Sequence, residues 1–186
     1  MRRILFALVA AVLLAACGRG AAAPLPADQA LGFNDADVRF LQDMLPHHQQ
    51  AIDMAELVDG RTRRPELVKL AARITTSQGG EIRSMQAFLT RWNRPVTADG
   101  GMRPDQSQVS GMLAEGQLEW LQTLKDTRFD LAFLTMMRTH HGGAVEMAAA
   151  ELRSGSSAEV KALARQMILA QQTEIRQMQR WQDAWA

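Results

Sequence analysis

Two pairs of adjacent histidines are the residues of this chain best suited to chemistry. The first lies in Phe40-Leu41-Gln42-Asp43-Met44-Leu45-Pro46-His47-His48-Gln49-Gln50-Ala51-Ile52-Asp53-Met54-Ala55. The second lies in Phe133-Leu134-Thr135-Met136-Met137-Arg138-Thr139-His140-His141-Gly142-Gly143-Ala144-Val145-Glu146-Met147-Ala148. These are the only 4 histidines in the sequence, and each pair has a methionine at the same two offsets. Imidazole nitrogen with thioether sulfur is a borderline-to-soft donor set. It suits Cu(I), Ag(I) and, through the nitrogens, Cu(II), whereas hard ions such as Mg or Ca want oxygen. Methionine also serves outside the cytoplasm, where thiols are oxidised. The candidate metal ligands are therefore Met44, His47, His48, Met54, Met137, His140, His141 and Met147.

A methionine stripe at helical spacing is ordinarily core filler, and a lone histidine on an apolar face is ordinarily a satisfied core residue. Duplication of both together lifts the metal reading above that. The repeat runs at an offset of 93 residues, and residues 37–92 align with 130–185 without a gap, 19 of 56 positions being identical. A period this long is a duplicated half-domain rather than a solenoid unit. Matched positions also include Glu81 with Glu174 and Met85 with Met178. These four fall on the inward stripes of the second and last long helices and are candidates for a second layer. Glu81 and Glu174, one turn before Met85 and Met178, are candidates to orient an imidazole N–H or to act as carboxylate ligands.

The elements that position these residues read as helices. Asn34-Asp35 offers an N-cap, and Phe40, Leu41, Met44, Ala51, Met54, Ala55 and Val58 recur at the 3–4 spacing of one helical face. Gly60 stops this helix, and Pro65 opens the next, where a missing N–H costs nothing. Asn93-Arg94-Pro95 ends it. In the second half, Thr127-x-x-Asp130 leads into the third long helix, Gly155 closes it, and Ser156-x-x-Glu159 reads as a capping box for the last. Between the halves, Asp99-Gly100-Gly101 marks a loop, and Leu113 to Leu124 reads as a short crossover helix carrying Trp120. No stretch alternates with period two. The fold class is all-α: a four-helix bundle from two duplicated helical hairpins joined by a long crossover with a short extra helix.

Neighbouring helical residues point about 100° apart. One histidine of each pair is thus expected to enter the core and the other to flank it, with Met44 and Met137 within reach of both. Pro46, Gly79-Gly80 and Gly142-Gly143 all fall inside helices, where they are locally unfavourable. Either a functional site or close helix packing accounts for them.

The repeated Met-x-x-His-His-x-x-Ala-x-x-Met-Ala, followed by Gln-x-x-Glu-Ile-x-x-Met, resembles the bacterial secreted family called domain of unknown function 305. The resemblance covers about residues 34–186. It implies a ferritin-like helical bundle and metal binding at the eight His and Met positions, since the family includes periplasmic proteins that bind copper or silver. The family usually has Gly before the Ala of the motif; Gly143 agrees and Gln50 departs.

Residues 1–16 read as a signal peptide: Arg2-Arg3, then an apolar run too short to span a bilayer. Leu14-Ala15-Ala16-Cys17 resembles a lipoprotein signal, with Cys17 as the acylated residue. It is the only Cys, so no disulfide forms within the chain. Residues 17–33 form the lipidated Cys and a flexible tether, and 34–186 a single bundle domain. Without an Asp after Cys17, the outer membrane or cell surface is favoured, with the domain in the periplasm or extracellular space. A net charge of +1 gives no basic footprint for nucleic acid. The expected partners are metal ions, a membrane through Cys17, and a metal-transfer protein the sequence does not name.

Three functions compete. The first is a copper- or silver-binding protein with no enzymatic activity, sequestering or transferring ions. The second is an envelope interaction or structural bundle with no metal. The third is a ferritin-like di-iron oxidoreductase. Di-iron sites need Glu-x-x-His twice; here Met44, Leu45, Met137 and Arg138 stand three before the histidines, which argues against it.

Overall fold

A computed structural model of the chain describes residues 32–96 and 109–186. The signal peptide, Cys17, nearly all of the tether and the Asp99-Gly100-Gly101 loop lie outside the described residues. Five helices follow in order: α1 Asp35–Glu56, α2 Pro65–Arg91, α3 Glu115–Thr123, α4 Asp126–Ser154 and α5 Ala158–Trp185. There is no strand among the described residues. The hairpins α1/α2 and α4/α5 pack through α1 against α4, and α3 lies on α4.

The apolar faces close into two core groups. One joins Ala51, Met54 and Val58 of α1, Leu67, Leu70 and Ile74 of α2, Phe129, Phe133 and Met137 of α4, and Met178 of α5. The other joins Phe40, Leu41 and Met44 with Met85, Leu89, Ala144, Ala148, Val160 and Met167. The start of α1 thus meets the end of α4, and the reverse, so the two helices run antiparallel. The histidine pairs fall between the two groups on both helices.

α1 begins as its sequence predicts. The Asn34 side chain accepts from the Ala36 and Asp37 N–H groups, and Asp37 takes the Asn34 N–H in return at 2.7 Å. Pro65 occupies the first turn of α2. Two predicted starts are corrected. α4 begins at Asp126, whose N–H donates to the Arg61 carbonyl at 2.7 Å, so the junction with the first hairpin sets the start. Asp130 consequently lies inside the helix, buried, and takes the Arg64 guanidinium at 3.1 Å. α5 is capped by Ser157 rather than by a Ser156/Glu159 box. Ser156 Oγ accepts from Asn34, and Glu159 pairs with Arg91. Tertiary contacts claim both members of the expected box.

Asp37 explains this. It is fully buried, and besides Asn34 it accepts from the Ser156 and Ser157 N–H groups at 3.0 and 2.9 Å. One carboxylate thereby joins the N-terminal ends of α1 and α5. Beside it sits Glu151, 2 % exposed, with no hydrogen-bond donor on either carboxyl oxygen. Its carboxyl fills the space that a Cβ at Gly155 would need. Burial, then the hydrogen bond and charge of Asp37, raise its pKa from 4.5 to about 8, with Lys161 pulling the other way. The folded protein therefore holds a proton between these values that the unfolded chain has lost. Glu151 contributes its stability in full below about 4.5, and the contribution fades as pH rises through 8. Urea unfolding of the bundle at pH 5 and pH 9 should show the lower midpoint at pH 9. Glu151→Gln should flatten that slope, and a slope unchanged in the variant assigns the pH dependence elsewhere.

Candidate metal centre

All four histidines have 0 % exposure. The expectation that one of each pair would flank the core is corrected. The 100° between neighbours turns both rings inward, one toward the other hairpin and one toward its own partner helix. His47 of α1 faces His140 of α4 across the interface, ring centroids 3.8 Å apart. His48 reaches Glu81 of α2, Nε2 to Oε2 2.7 Å, and His141 reaches Glu174 of α5 at the same 2.7 Å. The two glutamates are about a fifth exposed, 20% and 18%, and close the layer toward solvent.

Carbonyl and carboxylate oxygens accept hydrogen bonds, so these contacts fix the ring protons. His48 and His141 carry theirs on Nε2, donated to the glutamates. His47 carries its own on Nε2, donated to the Ser110 carbonyl at 3.1 Å. In the neutral form of each ring the lone pair is then on Nδ1. The Nδ1 atoms of all four rings, and Nε2 of His140, are buried without a hydrogen-bond partner. A buried polar atom left this way costs roughly 1–3 kcal/mol. Burial, then the neighbouring His48 and His141, lower the His47 pKa to about 3, against a partial rise from the Ser110 bond. His140 is lowered well below the usual histidine range, first by burial and then by His47, His141 and His48. Both central rings are therefore neutral, the form in which imidazole binds a metal.

The thioethers sort into two groups about this layer. Met44 and Met85 lie in one core group with Met147 packed against it. Met54, Met137 and Met178 lie in the other. Of the repeat-matched methionines, each group takes two from one hairpin and the third from the other. The six positions correspond pairwise under the 93-residue offset. Five of the six are fully buried, while Met147 is half-buried. Among the described residues, no three His, Cys, Asp or Glu side chains come together as a metal cage.

A family model described as a domain of unknown function (DUF305) matches residues 37–182. The chain belongs to this family. A second model, the prokaryotic membrane lipoprotein lipid attachment site, matches residues 1–17, so this DUF305 protein is an exported lipoprotein. A DUF305 fragment from Deinococcus radiodurans is 34% identical with a TM-score of 0.73, over 81% of this chain and 97% of that one. CopM in the Cu(II)-bound form is 36% identical with a TM-score of 0.70, again over 81% of this chain and 97% of that one. CopM has also been solved in Cu(I)-bound and Ag-bound forms. The uncharacterized protein L153 of Acanthamoeba polyphaga mimivirus is 40% identical over 53 residues, spanning 28% of this chain and 35% of that protein.

In this DUF305 chain a strap from the crossover, residues 110–113, covers the central histidines. Sequence reasoning missed it. Gly111 takes φ +83°, and a Cβ there would meet the His140 and Thr139 carbonyls at 2.8 and 2.9 Å. Across from it a Cβ at Gly143 would run into the Ser110 backbone. Gln50, the repeat mate of Gly143, clamps the same strap: its amide donates to the Leu113 carbonyl and accepts the Leu113 N–H, at 2.9 and 2.8 Å. The departure from Gly at position 50 is thus a second means of holding one segment. Of the helical glycines, Gly143 alone serves close packing. Gly142 meets nothing within 4 Å, and Gly79 and Gly80 meet only the Arg83 guanidinium. Gln78 and Gln171, matched in the repeat, are buried as their place on the inward stripes predicts. Gln78 Oε1 and both ends of the Gln171 amide lack partners.

The two adjacent glycines give an internal control. Gly143→Ala should destabilise the bundle by about 1–3 kcal/mol through overpacking against the strap. Gly142→Ala should stabilise it, by up to about 1 kcal/mol of helix propensity. Urea midpoints moving in the same direction for both would remove the strap contact as the reason for Gly143.

Proposed function

We propose that the protein is a lipid-anchored, extracytoplasmic binder of copper or silver ions, sequestering them or passing them to another protein. The observation that carries this reading is the buried imidazole layer. Four rings there present nitrogens without partners, and groups of thioethers lie on both sides. The resemblance to CopM, described with Cu(II), Cu(I) and Ag bound, supports it over nearly the whole domain.

Each residue then has a role. His47, His48, His140 and His141 supply nitrogen, and Met44, Met54, Met137 and Met147 supply sulfur, a set suited to soft cations. Glu81 and Glu174 act through His48 and His141, holding the Nε2 protons and turning Nδ1 toward the ion, as carboxylates behind ligating histidines do. Met85 and Met178 complete the sulfur lining. The function is binding rather than catalysis, since no Glu-x-x-His pattern is available for a di-iron centre. Acylation of Cys17 would anchor the domain to a membrane, the outer membrane or cell surface being favoured by Gly18.

Titration of the protein from Asp28 to Ala186 with Cu(I), Ag(I), Cu(II) and Zn(II) against a competing chelator tests this. Tight copper or silver binding is expected in the wild type and not in a variant with all four histidines changed to Ala. Glu81→Gln with Glu174→Gln should weaken binding by about 10–100-fold. Wild-type protein that takes up none of these ions, or a four-histidine variant that binds as before, would leave a metal-free envelope bundle as the better reading.

A further inference from the structure

The duplication is broken at one end of the α1/α4 interface. A pocket of ≈ 290 Å³ opens there between the first half of α1 and the last part of α4, lined by Arg39, Phe40, Asp43, Met147, Ala150 and Glu151. At the matching positions of the other repeat stand Ala132, Phe133, Met136, Met54, Leu57 and Val58. That end is closed: Phe133, Met54 and Val58 are buried, and the other three pack against the core. Polar or charged residues thus replace apolar ones at three matched positions, Asp43 for Met136, Arg39 for Ala132 and Glu151 for Val58. Where one repeat has packed interior, the other has a concavity.

The floor of the concavity suits a soft cation. Met147 is half-buried, while its repeat mate Met54 is fully buried. Its thioether packs on the group that contains Met44 and Met85. Those two lie one helical turn from His48 and Glu81. Glu151 lines the pocket, 2 % exposed, with its carboxyl set beside Asp37 and Gly155. The direct approach to His47 and His140 is covered by the Ser110–Leu113 strap. A second opening, a groove of ≈ 570 Å³ beside α5, has Glu174 in its lining but no thioether.

We infer that the pocket at Met147 is the port through which soft monovalent cations enter and leave the buried centre, with Met147 the first sulfur they meet. The inference rests on the metal-binding reading and adds the route. A port governs exchange rates in both directions and leaves the equilibrium constant unchanged. A residue that fills it slows uptake and release together.

The test uses the full-length lipoprotein in detergent and Ag(I) supplied from a competing chelator, followed by stopped-flow tryptophan fluorescence. Ala150→Trp places a plug in the port, and Ala170→Trp places one in the groove beside α5. Ala150→Trp should slow uptake and release by about tenfold or more with the affinity unchanged, and Ala170→Trp should exchange like the wild type. Ala150→Leu, a smaller plug at the same position, should slow both by less and covers the case in which the tryptophan variant does not fold. Wild-type rates in both Ala150→Trp and Ala150→Leu, with Ag(I) still bound, would overturn the port and leave the metal reading intact. Slow exchange in Ala170→Trp alone would move the route to the groove and overturn it equally. A wild-type protein that takes up no Ag(I) would remove the metal reading and the port with it.

Discussion

The rest of the structure depends on a layer of imidazoles held dry between two helices. His47 packs against His140 across the α1/α4 interface with the ring planes tilted by 35°, and neither nitrogen of His140 has a hydrogen-bond partner. Charge is not tolerated at such a spot, and burial keeps both rings neutral. A layer like this weakens a core unless something else satisfies it, because each orphaned nitrogen forfeits its bonds to water. The surrounding devices keep the layer in place. The strap supplies one carbonyl to His47, and Gln50 and Gly143 hold the strap. Glu81 and Glu174 take the outer ring protons. Apolar groups above and below carry the stability that the layer does not.

Duplication places these parts, and departures from it make them unequal. Both hairpins contribute one central histidine, one glutamate-bound histidine and three repeat-matched methionines. The crossover has no repeat mate, and it covers the layer from one side only. Gln50 and Gly143, matched in the repeat, meet that single segment by opposite means: one adds two hydrogen bonds, the other removes a side chain. Asp37 and Asp130, also matched, serve different junctions. Asp37 collects three backbone N–H groups, while Asp130 takes the Arg64 guanidinium. Two equal halves became one domain with a distinct inside, cover and open end.

Much of the fold and part of the centre were legible in the sequence. The 3–4 spacing of Phe40, Leu41, Met44 and Ala51 set a helical face, and Pro65, Gly155 and Asn34 marked ends that the structure keeps. The repeat drew Glu81 and Glu174 toward the histidines because both sit on inward stripes at matched positions. The strap was not legible, since Ser110 and Leu113 act through backbone atoms at long range and leave no periodic trace. Glu151 was hidden because an acid in an amphipathic helix ordinarily faces water. The cap of α5 was misread because Asp37, 120 residues away in sequence, competes for the N–H groups that a local box would use. Met54 and Met147 look alike in the motif and differ in exposure, because what covers each comes from other elements.

The donor geometry bears on which cations the centre could hold on the proposed reading. A hard divalent ion needs several oxygens, and a structural zinc site needs four ligands from Cys, His or carboxylate. Among the described residues no such cluster is assembled. The glutamates nearest the layer have turned their oxygens to His48 and His141. What remains is imidazole Nδ1 without a partner and thioethers in the core groups on both sides, a set that would favour ions accepting few, soft donors. The carboxylates help that choice by being occupied. If Glu81 and Glu174 released the imidazole protons they would offer oxygen to the same space, and the discrimination against harder ions would weaken. On the proposed reading, selectivity would rest as much on two hydrogen bonds at 2.7 Å as on the ligands themselves.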